Sequence, residues 1–62
     1  MKKLKKVFSK TEEWREVLKV INVFPGVTLY SHEEHDFFIL VTISGSESAI
    51  LQLQKEVNIS FS

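Results

Sequence analysis

Two imidazoles and three carboxylates fall within five positions of this chain, His32-Glu33-Glu34-His35-Asp36, the only stretch where metal-ligand side-chain types crowd together. Histidines three apart with carboxylates beside them suit zinc or nickel, most easily when a second chain supplies further donors. His32, His35 and Asp36 are then the candidate ligands. The HExxH order on a helix, which gives a zinc site its specificity, is absent. The same composition suits a solvated hairpin tip whose charges hold a turn in water. A pH-sensitive contact is a third use, because an unperturbed histidine titrates near neutrality.

No catalytic set accompanies these residues. The chain has no cysteine nucleophile, and neither Ser9 nor the group Ser44, Ser46 and Ser48 has a base and an orienting partner in its sequence context. Glu33 and Glu34 have the surroundings of exposed carboxylates. The two glycines, Gly26 and Gly45, cannot form a phosphate-binding loop. Non-catalytic function without a cofactor is therefore expected.

Charge points to a second chemistry. Lys2, Lys3, Lys5, Lys6 and Lys10 hold five of the eight basic residues within the first ten positions. Such a cluster can track phosphates, with Phe8 or Tyr30 stacking on a base, so these lysines are the candidate nucleic-acid residues. A solvated face is the ordinary role of a lysine-rich segment, and eight acidic residues bring the net charge to zero. That balance argues against strong whole-surface attraction to nucleic acid or anionic membrane. The N-terminal lysines are not followed by the apolar stretch of about 7 to 15 residues of a secretory signal, and no run approaches the roughly 20 residues of a membrane span. A cytoplasmic location is the expectation.

Sixty-two residues allow one domain, residues 1–62. At this size only about 60% of the unfolded surface is buried, so stability is marginal without help. Disulfides and a cysteine-rich zinc site cannot supply it, which leaves pairing with another copy as the common device. At 44% apolar and 26% charged, the composition is that of a folded soluble domain.

The elements that must position these side chains follow from periodicity. Asp36 to Ser44 is the longest apolar run. At period two it places Phe37, Ile39, Val41 and Ile43 on one face and Phe38, Leu40, Thr42 and Ser44 on the other, and Gly45 ends it, as in a central strand. Upstream, Trp14, Val17, Leu18 and Ile21 form one stripe of a helix over about residues 10–23, closed by Phe24-Pro25-Gly26. Val27 to Ser31 is predicted as a short strand and residues 32–35 as a hairpin loop. Ser46 is a helix cap, and Ala49, Ile50, Leu53 and Val57 share a face behind it. Val57 to Phe61 alternates as a terminal strand. Residues 4–9 read in two ways. As a strand they alternate imperfectly; as a helix, Leu4, Val7, Thr11, Trp14, Leu18 and Ile21 continue one seam. Ser9 followed by Glu12 is a capping-box pattern that favours a break at Ser9.

The resulting order, β-α-β-β-α-β, predicts an α+β fold, a ferredoxin-like two-layer sandwich. The alternative is a long N-terminal helix with a three-stranded sheet. The stretch FPGVTLYSHEEHDFFILVTISGSESAILQLQKEVN, with Pro25-Gly26 before a hairpin and a second helix, resembles the second half of an ACT-type regulatory domain. It is also similar to the small assembly chaperone of periplasmic nitrate reductase. The resemblance implies a non-catalytic module of a class whose members bind amino acids, signal peptides or one another. Two helices meet one face of the central strand, and nothing in the chain is left to cover the Phe38 face. Tyr30, Phe38 and Leu40 are therefore the first candidate contact residues. Ile59 and Phe61, on a terminal strand with an edge open to another chain, are the second. A homodimer or a larger protein is the expected partner.

Overall fold

A computed structural model describes residues 1–11 and 13–62. The chain forms β1 (Lys2–Ser9), α1 (Trp14–Val23), β2 (Val27–Glu34), β3 (Phe38–Gly45) and α2 (Glu47–Val57). The sheet has three antiparallel strands in the order β1-β3-β2, with both helices packed on one face. This is a small α+β sandwich, compatible with the ferredoxin-like arrangement.

The N-terminal segment is a strand, which excludes the long helix. Leu4, Lys6 and Phe8 pair with Ile43, Val41 and Ile39 on the helix-covered side, and Phe8 is almost fully buried. A continuous helical seam would have needed Val7 inside, whereas it is 56% exposed on the opposite face. The strand runs to Ser9, so the chain must turn before it can become helical. Ser9 Oγ lies 2.8 Å from Thr11 Oγ1 and accepts from the Thr11 N–H at 3.3 Å. Helix α1 accordingly begins at Trp14, not near Lys10, with Glu13 at its cap and no side-chain capping bond. Glu12, the other half of the expected capping box, lies outside the described residues. Trp14, Val17 and Ile21 bury at the three- and four-residue spacing of one helix face. The Phe24 N–H then donates to Ile21 O, and Gly26 takes φ 84° in the left-handed region.

Two expectations for the hairpin need correction. Strand β2 continues through Glu34, so His32, Glu33 and Glu34 are ladder residues and the turn is His35-Asp36-Phe37, closed by the His35 N–H donating to Phe38 O at 2.9 Å. Backbone pairing with the eight-residue β3 carries the strand onward, although its side chains there are all exposed. Phe37 belongs to this turn and is 87% exposed, so the core face of β3 is Ile39, Val41 and Ile43 without it.

Helix α2 follows expectation. Ser46 Oγ accepts from the Ala49 N–H at 3.2 Å, and Ile50 and Leu53 are buried with Ala49 and Val57 beside them. The predicted fourth strand does not form. The helix keeps Val57, and Asn58 at φ 54° makes a left-handed stop. Beyond it Ser62 alone exchanges two hydrogen bonds with Lys5, 2.7 and 2.8 Å, on the side of β1 away from β3. Phe61 is drawn inward: its ring packs edge-to-face on Phe8 with centroids 6.2 Å apart, and its N–H donates to Gln54 Oε1 at 2.7 Å. The tail thus closes the core beside β1 in place of extending the sheet.

Candidate interaction surface

Both helices lie on one side, so the other face of the sheet is open. Register sorts its residues into three columns. Lys3, Lys5, Val7 and Ser9 come from β1; Ser44, Thr42, Leu40 and Phe38 from β3; and Thr28, Ser31 and Glu33 from β2. Tyr30 is the extra residue of a β-bulge between Leu29 and Ser31. A bulge bends its strand and re-aims a side chain. Here it brings the Tyr30 ring to the open side, where the Lys3 ammonium sits 3.9 Å from the ring centroid. Lys3 and Thr28 flank Ser44 from opposite strands, so the Lys3–Tyr30 pair arches over the middle column. The cover explains why Thr42 is only 5% exposed on a face with no layer above it.

The arch closes one end of the face and leaves the other open. Val7, Leu40 and Glu33 form one row across the sheet, and Ser9 and Phe38 begin the next. Phe38 is 38% exposed and Leu40 half-buried. The His35 ring stacks on Phe38 with centroids 4.5 Å apart and planes 20° from parallel, which widens the apolar patch at the turn end. Tyr30, Phe38 and Leu40 thus share one face, and Val7 joins them. The sequence signal for Val7 was its period-two alternation with Leu4 and Phe8, obscured by the competing helical reading.

The other candidates are dispersed. Phe61 is a core residue at 6% exposure and Ile59 is half-buried against the core, so neither displays a free strand edge. The lysine cluster divides: Lys2 pairs with Glu47 at 3.5 Å, Lys10 with Glu34 at 3.8 Å, and Lys6 lies on the helix side with its ammonium 5.3 Å from the Phe8 ring centroid. Only Lys3 and Lys5 reach the open face. His32 stands opposite Val41 on the helix-side column, whereas His35 turns onto Phe38 on the open side. The strand ends between them, and with His32 on the helix side and His35 stacked on Phe38 the two imidazoles do not converge. Asp36 stays in the turn, and among the described residues no three His, Cys, Asp or Glu side chains group to hold a metal ion.

Away from this face, an open groove of about 660 Å3 lies between α1, the end of α2 and the tail. Phe8, Val17 and Val20 line it together with Glu13, Glu16 and Glu56. It is assembled from three separate segments, β1, α1 and residues 56–60, so no local sequence pattern signals it. No helix among the described residues is long and apolar enough to cross a membrane. Comparison of the chain with protein-family models, curated proteins and solved structures finds no match.

Proposed function

We propose that this chain is a non-catalytic interaction module of the cytoplasm that regulates or inhibits by docking on protein through the open face of its sheet. The observation that carries the reading is the contiguous patch of Val7, Phe38 and Leu40 on a face that no element among the described residues covers. Single exposed apolar side chains such as Val23 or Leu51 are ordinary, but adjacent ones on a flat sheet mark a contact surface. Tyr30 adds an aromatic anchor of the kind enriched at interfaces. The resemblance to ACT-type and assembly-chaperone modules points to the same class. The ordinary composition of a soluble domain supports the cytoplasmic setting.

The test is substitution of Phe38 by serine. Association of the wild-type chain, with itself or with a purified protein, is expected to weaken at least tenfold while the melting temperature stays within a few degrees. Undiminished association of a folded Phe38→Ser variant refutes the reading. A second reading, binding of single-stranded nucleic acid, draws on Lys3 and Lys5 beside the Tyr30 ring. Lys5, with Lys3 already seated on the Tyr30 ring, promises only weak binding with a shallow salt dependence. Absence of oligonucleotide binding at low salt removes it.

A further inference from the structure

Taking the open face as the contact surface, we propose that its partner is a second copy of this chain, related by a twofold axis lying along β3. The face is divided by charge. Its β1 column carries Lys3 and Lys5, its β2 column carries Glu33, and the β3 column between them presents Phe38 and Leu40. Within one copy Lys5 and Glu33 stand on strands separated by β3, so roughly 9.6 Å of sheet lies between their columns and they do not pair.

A twofold axis parallel to β3 lays each β1 column over the partner's β2 column. Positions along the strand are kept, so Phe38 and Leu40 meet their own counterparts at the axis. Val7 then covers the partner's Glu33, and Lys5, one row away, reaches that carboxylate diagonally. The same contact occurs twice by symmetry. A twofold across the strands instead lays each β1 column over the partner's β1 column and each β2 column over its β2 column, so flanks of like charge face each other. The basic flank, apolar centre and acidic flank therefore select one orientation, that of two sheets stacked face to face with their strands nearly aligned.

The size of the face bounds the affinity. Eight residues of strand and three strands give a footprint of roughly 27 by 14 Å, on the order of 400 Å2, below the ~800 Å2 per partner of a standard interface. The dimer is accordingly weak and concentration-dependent.

Sedimentation equilibrium from about 10 μM to 1 mM, a window that populates a weak dimer, tests the proposal. The wild-type chain is expected to dimerise in that range. Lys5→Glu and Glu33→Lys should each weaken the dimer roughly tenfold, since each turns two symmetric attractions into repulsions. The double exchange Lys5→Glu with Glu33→Lys should restore it to within about threefold of wild type, because opposite charges again face each other. Both positions are exposed, and far-UV circular dichroism verifies that the variants fold. A chain that stays monomeric through 1 mM overturns the second-copy partner while leaving the sheet face open to a different protein. A dimer lost in Phe38→Ser but unrescued by the double exchange overturns this orientation and leaves the face. A dimer indifferent to Phe38→Ser and to both reversals overturns the face and the pairing together. Salt-dependent binding of oligothymidine by a monomer, abolished in Lys5→Glu, assigns the basic flank to nucleic acid and overturns the dimer.

Discussion

Replacing Phe61 with alanine tests the least expected part of this fold. A chain of 62 residues has about 3 to 9 kcal/mol of net stability at the usual 0.05–0.15 kcal/mol per residue. Phe61 is 6% exposed and packs on Phe8, so truncation removes a buried ring and leaves a cavity between the tail and β1. Phe→Ala in a core costs about 3 to 5 kcal/mol, and the lower figure applies because a five-residue tail can relax into the space. A loss near 3 kcal/mol is at least a third of the total. Gln54→Ala offers an independent handle on the same tail. Its Oε1 accepts the Phe61 N–H at 2.7 Å, and losing that bond costs about 1 kcal/mol once water replaces it. Because both residues fasten one segment, the double variant should lose less than the sum of the two. Urea unfolding followed by far-UV circular dichroism measures all three. If Phe61→Ala leaves the urea midpoint unchanged, the tail is not seated on the core. Phe61 would then return to the surface as an anchor beside the β1 edge.

Two further outcomes follow. A Cβ at Gly45 would collide with the Gly26 carbonyl oxygen and stand 3.3 Å from Val27 Cα, both backbone atoms that a side-chain shift cannot relieve. Gly45→Ala should therefore cost at least about 2 kcal/mol and lower the melting temperature by roughly 10 °C, and an unchanged melting curve contradicts the close approach of the two strand ends. Zinc or nickel at about 1 mM should leave the melting temperature within about 2 °C, because His32 and His35 serve opposite faces. A rise above about 5 °C would show that the imidazoles converge on an ion after all.

How much of this was legible depended on whether a segment's own residues decided its structure. The core of β3 was readable because Ile39, Val41 and Ile43 are β-branched, alternate, and end at a glycine. Helix α2 was readable from Ser46 and from the spacing of Ile50 and Leu53. The tail was not, because alternation over Val57 to Phe61 fits an extended segment whether its backbone pairs with a strand or with one side-chain amide. The decision rests with Asn58 and Gln54, whose effects are positional. The extent of β2 was hidden for a related reason. An exposed ladder end and a loop select the same charged residues, so His32 to Glu34 carried no mark of the pairing that β3 imposes. Phe37 joined the apolar run by composition, yet the turn puts it in solvent. The open face was legible as the uncovered Phe38 and Leu40 side. Its arch was not, since the bulge that turns Tyr30 toward Lys3 is a property of two strands together.

The central claim, that function resides on the open sheet face, is tested most directly by amide chemical shifts followed against concentration, or against an added binding protein. The account predicts that shifts concentrate at Val7, Phe38, Leu40 and Glu33, with the exposed helix positions Val23 and Leu51 unmoved. Shifts confined to α1, α2 or the groove between them, with the open face silent, would contradict it.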